Sequence, residues 1–235
     1  MLFDLRGRGR RRTVQAIYLS LAILMGGGLV LFGIGGATPG GLVDAVTGSG
    51  GTVGGDIYAK QIERAQKQVQ ADPRDVAAWA ALTRAQVQDA SIVGYDQTTG
   101  AFDQKGLARL EQASTSWQRY LDLDPKKVDD GLASLMVNAY SASGLNDPAK
   151  AARALEVVIA GRGGSAALFT QLAVLTYAAG DKRKSLIAER RAVEASPKAR
   201  RKLIEAQIAS QRSQIDSART QQAQQQAQQG SGLGG

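Results

Sequence analysis

Few residues in this chain could carry out chemistry, and two of the usual types are missing: its 235 residues include no histidine and no cysteine. Without them the common zinc sites, thiol nucleophiles and Ser-His or Cys-His pairs cannot be built. The adjacent carboxylates Asp129-Asp130 could serve a hydrolase, but acidic residues at a helix start are more simply caps that complement the helix dipole. Asp89, Asp96 and Asp103 recur seven residues apart, yet the compact Asp-x-Asp-x-Asp-Gly loop that would hold calcium is absent. The glycine runs Gly48 to Gly51 and Gly54-Gly55 are followed by no Gly-Lys-Ser/Thr and preceded by no strand, so they read as spacer rather than phosphate loop. The expectation is a protein that is not an enzyme, with no catalytic residues, no metal and no cofactor.

The elements that would position any site begin with an apolar run, Thr13 to Ile34, behind Arg6, Arg8, Arg10, Arg11 and Arg12. Its 22 uncharged residues would span ~33 Å as a helix, against a hydrocarbon core of ~30 Å. The outer flank, Gly35 to Gly55, has no Lys or Arg and only Asp44, so the positive-inside rule puts residues 1–12 in the cytoplasm and those beyond about 40 outside. A cleaved signal peptide is the competing reading, although only Gly35-Gly36-Ala37 offers a small-x-small site. A twin-arginine signal fits Thr13-Val14-Gln15 poorly, and the Gly26-Gly27-Gly28 triplet argues against a buried water-soluble helix. A lipoprotein is excluded, since there is no cysteine to acylate.

Charge is unevenly distributed: +4 over residues 1–12, −2 over 13–180 and +6 over 181–235, for the overall +8. The leading cluster serves topology and the middle is nearly neutral, which argues against a nucleic-acid partner. Residues 35–55 have no hydrophobic pattern and form a flexible linker, with a reach of about 25 Å. Aromatics are only 5% and alanine is abundant, a composition suited to closely packed helices.

An internal period sets the fold. Phe169, Leu172, Ala173, Gly180, Ala192 and Pro197 follow one another by three, one, seven, twelve and five residues. Pro73, Trp79, Leu82 and Thr83 repeat the first-helix spacing, and Ala113, Trp117, Tyr120 and Pro125 the second, so that Trp79, Leu82, Trp117 and Leu172 are the expected core. Between them about 18 residues, roughly Asp89 to Gly106, are inserted. Tyr95 to Phe102 in that insertion reads as a short hairpin bent at Gly100, with the two aromatics pairing across it. A middle unit covers Val128 to Ile159, with Leu135, Tyr140, Gly144 and Ala151, and its turn is lengthened by Asn146-Asp147-Pro148. Ile57 to Ala71 caps the start. Residues 198–220 cap the end with Leu203, Ile204, Gln207, Ile208 and Ile215 near one face. The basic 198–202 stretch also allows that helix to lie on anionic lipid. Residues 221–235, rich in Gln and Gly, are expected to be disordered.

These spacings resemble the 34-residue tetratricopeptide (TPR) repeat, a helix-turn-helix unit with small residues at the helix contact and a turn glycine. Ser185 stands where that pattern usually has alanine. The fold expected is all-α: a single N-terminal transmembrane helix, then a three-repeat TPR array over residues 56–197 with capping helices. The whole layout resembles bacterial membrane-anchored TPR proteins, such as ancillary Sec-translocon subunits and cell-division coordinators. That resemblance implies a single-pass scaffold of the cell membrane, its TPR domain extracytoplasmic, binding a protein or peptide partner or exported polypeptide in a translocon or envelope complex. The alternative is an envelope-assembly or cell-division adaptor acting through the anchor, where Ala16/Ser20 and Ala22/Gly26 form small-xxx-small pairs. Arg84, Asn138 and Tyr177 are the expected groove positions, and Tyr95 and Phe102 an expected lip.

Overall fold

The computed structural model describes residues 53–231. The basic tail, the Thr13 to Ile34 run and most of the linker lie outside the described residues, and no helix among those described is long and apolar enough to cross a membrane. The described chain forms eight α-helices: α1 (Val53–Ala71), α2 (Val76–Val93), α3 (Gln104–Asp122), α4 (Asp130–Ala139), α5 (Pro148–Arg162), α6 (Ala166–Ala178), α7 (Lys182–Glu194) and α8 (Arg201–Ser231). Strands β1 (Tyr95–Asp96) and β2 (Ala101–Phe102) join α2 to α3, and a 3₁₀ turn at Lys198–Arg200 precedes α8.

Helices start where the sequence supplies an acceptor for their orphan amides. Asp75, Asp103, Asp129, Asp147 and Asp181 accept from the backbone N–H three residues on, at 2.8–3.0 Å, and Ser165 does so at 3.3 Å. Every helix from α2 to α7 therefore has a side-chain N-cap, each contributing about 1 kcal/mol. Gly180, at φ 85°, takes the left-handed conformation that turns α6 into α7 within three residues.

Each helix packs on the next to give three helical hairpins, α2/α3, α4/α5 and α6/α7. The first helices of hairpins one and two touch, and α8 packs on both α6 and α7. Apolar burial falls into three clusters. The largest joins α2 to α5 around Leu110, Trp117, Tyr120, Leu132, Met136 and Leu155. Trp117 and Tyr120 stack with centroids 5.3 Å apart, and Tyr140 shares a 2.8 Å hydrogen bond with Ser114. A second cluster seats Ile62, Ala65 and Val69 of α1 on Ala78, Leu82 and Ala85 of α2. The third is small: Ala173, Ala188, Ala192 and Ile208.

Four expectations change. The insertion is not one extra loop: against the last hairpin, α2 has 18 residues to 13, α3 has 19 to 13, and their connection ten to three. The surplus continues both helices, which accounts for burial of Val87 and Ala90. Trp79 and Leu172 are only partly buried, because Trp79 bridges two clusters with its Nε1–H on the Pro73 carbonyl (3.0 Å) and Leu172 borders an open groove. α1 begins at Val53, inside the expected linker. α8 continues through Ser231, against the disorder expected from residue 221, since Gln and Ala add readily to a helix already nucleated by packing.

Candidate partner-binding surfaces

Arg84 lies on α2 and Asn138 on α4. Arg84 Nη2 donates to Asp129 Oδ2 at 2.6 Å, tying the middle of α2 to the start of α4, while Asn138 is exposed near the end of α4. Asp129 is fully engaged: Oδ1 caps Leu132, Oδ2 takes Arg84, and its own N–H donates to Tyr120 Oη at 2.8 Å. Asp130 pairs with Arg162 at the end of α5, and that hydrogen bond holds its carboxyl below the ordinary value of 3.8. The two adjacent carboxylates thus point to different cations and act as cap and clamp.

Tyr177 is engaged by the chain itself. Its hydroxyl donates to Asp216 Oδ2 at 2.7 Å, and the guanidinium carbons of Arg212 and Arg219 lie 5.3 and 5.8 Å from its ring centroid. The Asp216 hydrogen bond raises the phenol above its ordinary pKa. Arg212 also donates to Glu189 Oε2 and to Ser185 Oγ, both at 2.7 Å, and Ser185 Oγ in turn donates to the Ala173 carbonyl at 2.6 Å. One network therefore fastens α8 to α7 and α6. Ser185, the departure from the repeat pattern, supplies the oxygen that Arg212 needs. None of the described hydrogen bonds joins Arg84, Asn138 and Tyr177 to one another.

The Tyr95 to Phe102 segment is an antiparallel hairpin with Tyr95 opposite Phe102 and Asp96 opposite Ala101. The two rings meet edge to face, with centroids 5.0 Å apart. Asp103 N–H donates to the Gly94 carbonyl, and a Cβ on Gly94 would run into the Gly106 amide, so the hairpin closes through a backbone approach that excludes a side chain. Phe102 N–H donates to Ser143 O at 3.1 Å, docking the hairpin on the α4–α5 connection. Ile92, Val93 and Tyr95 leave an exposed apolar edge there. The three aspartates of this region act separately: Asp89 is buried beside Arg109 (2.9 Å), Asp96 accepts from Thr98 N–H (2.7 Å), and Asp103 caps α3.

The surface that the spacing of residues does not bring forward is a groove of about 470 Å³ between α5 and α7, floored by Phe169 and Leu172 of α6. Ile159, Ala160, Ile187 and Ala188 line its walls, with Glu156, Lys184 and Arg191 at the rim. Its signal in the sequence is Ile187, a bulky apolar residue within the basic run of α7 that is exposed in the structure.

No family model matches the sequence, and no curated protein matches it. Among solved structures, the chain is similar to the crystal structure of TTC0263, a thermophilic TPR protein in Thermus thermophilus. That similarity has 20% identity and a TM-score of 0.37, and covers 66% of this chain and 73% of that one.

Proposed function

We propose that this chain is a protein-binding scaffold of the TPR type. In the fuller reading it is held in the cell membrane by the Thr13 to Ile34 run and presents its repeats on the extracytoplasmic side. The observation that carries the scaffold reading is the serial arrangement of three capped hairpins that leave bulky apolar side chains at the surface, Ile92, Leu186 and Ile187 among them. Membrane attachment is supported by the uncharged run and its five arginines. Partners on this reading are exported polypeptides or envelope proteins near the Sec translocon. The second reading is an envelope-assembly or cell-division adaptor that works through the small-residue pairs of the anchor.

The surface of α4 around Asn138 is the first to test, because Asn138 is exposed. A photo-crosslinking amino acid at Asn138 of the full chain should yield defined protein adducts in intact membranes, and protease outside spheroplasts should remove the repeat domain. Adducts that persist when the same residue is placed in the anchor instead, with none at Asn138, would favour the second reading. Protection of the domain from protease would overturn the extracytoplasmic orientation.

A further inference from the structure

The groove between α5 and α7 joins an apolar floor to a rim whose unpaired charge is the Arg191 guanidinium, and we propose that it receives an acidic amphipathic helix from a protein partner. This rests on the scaffold reading and adds the partner's chemistry. The groove exists because the last hairpin packs on small residues: Ala173, Ala188 and Ala192 are its buried contacts, which leaves Phe169 and Leu172 open on one side.

Its shape selects a helix. The walls are Glu156, Ile159 and Ala160 on one side and Lys184, Ile187, Ala188 and Arg191 on the other, steps of three and four residues along each helix. The longer wall spans two turns, ~10 Å at ~1.5 Å per residue. An incoming helix with apolar residues at i, i+3, i+4 and i+7 presents the same spacing.

Its charge selects the sign of the partner. α7 carries Lys182, Arg183, Lys184, Arg190 and Arg191 against Glu189 and Glu194. Glu189 is taken by Arg212, and Glu156 across the groove by Lys184 (3.0 Å). Of these basic residues Lys184 and Arg191 line the groove, and Arg191 is exposed and belongs to no ion pair among the described residues, so it is the rim charge left for a partner. The Arg191 guanidinium carbon lies 5.7 Å from the Phe169 ring centroid, at the mouth of the groove, where a carboxylate beside a buried leucine would meet it. On this reading the part of a second copy on the same side of the membrane carries a net charge of +4 (−2 over residues 13–180 and +6 over 181–235), so it is disfavoured as occupant.

The test uses the full-length chain in zwitterionic-lipid nanodiscs and a fluorescein-labelled peptide with leucines at i, i+3, i+4 and i+7 and glutamates between. Fluorescence polarisation, corrected with empty nanodiscs, should show saturable binding that weakens by about tenfold or more in Ile187→Asp and in Arg191→Glu. Both residues are exposed, and unchanged thermal unfolding by circular dichroism would confirm that the fold is kept. Asn138→Ala should leave this binding unchanged. The proposal is overturned if a twin peptide with lysine for glutamate binds equally, if neither variant weakens binding, or if anionic vesicles bind through Ile187 while the peptide does not. Loss of the groove with Asn138 crosslinks intact removes this inference alone; absence of crosslinks as well removes the scaffold reading.

Discussion

The first and last hairpins follow one repeat pattern and close in opposite ways. In α2/α3, long helices bury Leu110, Trp117 and Tyr120, and α1 covers the outer face with Ile62, Ala65 and Val69. In α6/α7, shorter helices meet through alanines, and α8 covers them with one fully buried side chain, Ile208, plus a polar clamp centred on Arg212. An array needs only to hide its terminal apolar faces. Doing so with large apolar side chains yields a filled core, whereas doing so with alanines and a guanidinium leaves an open groove beside it.

The contrast breaks most visibly at Trp117. Trp117→Ala removes a buried, stacked aromatic from the largest cluster and should cost about 3–5 kcal/mol in chemical unfolding. Arg212→Ala should cost less, about 1–3 kcal/mol, because it removes a partly buried ion pair and a hydrogen bond rather than core volume. Its loss of hydrogen-exchange protection should be confined to α6, α7 and α8. If Arg212→Ala costs as much as Trp117→Ala, the polar end is not the weaker one.

Leu172→Ala sharpens the same comparison. The repeat pattern makes Leu172 a core position, where truncation costs about 2–5 kcal/mol. In the structure it is partly buried at an open groove, so no closed void remains after truncation, and the expected loss falls to about 1 kcal/mol by denaturant titration.

The smallest effect concerns pH. Asp130 has its carboxyl held below 3.8 by Arg162, so the folded state keeps it ionised further into acid than the unfolded chain does. Its contribution is complete well above pH 3.8 and is lost as the pH falls through the lowered folded value. Asp130→Asn should therefore reduce stability at neutral pH by a few tenths of a kcal/mol, as expected for an exposed pair, and the difference from wild type should vanish in acid.

Much of this is legible in the sequence because it is local. Asp129 reads as a helix cap, Gly180 marks a tight reversal, and Tyr95 and Phe102 are the two ends of an eight-residue segment and meet across its bend; Asp75, Asp103, Asp147 and Asp181 cap their helices by the same local chemistry, which the repeat spacing does not bring out. Helical periodicity says which residues share a face, but not which neighbour will lie over that face. The repeat spacing therefore puts Tyr177 on a groove, although α8 brings Asp216, Arg212 and Arg219 onto it from about 40 residues away along the chain. The α5/α7 groove escapes a sequence reading for a related reason: it is space left by Ala188 and its neighbours, and a spacing pattern registers side chains rather than gaps. Ser185 shows the converse. A departure from the repeat pattern marks the residue that binds the cap through Arg212.

Native-state hydrogen exchange of the full chain, followed residue by residue at rising denaturant, tests most directly the claim that the alanine-packed end carrying the groove is the looser one. The account predicts that α6, α7 and α8 open together at lower free energy than α2 to α5, and that the acidic leucine-bearing peptide raises protection in α5 to α7 first. Uniform opening across all three hairpins, or earlier opening of α2/α3, would contradict it.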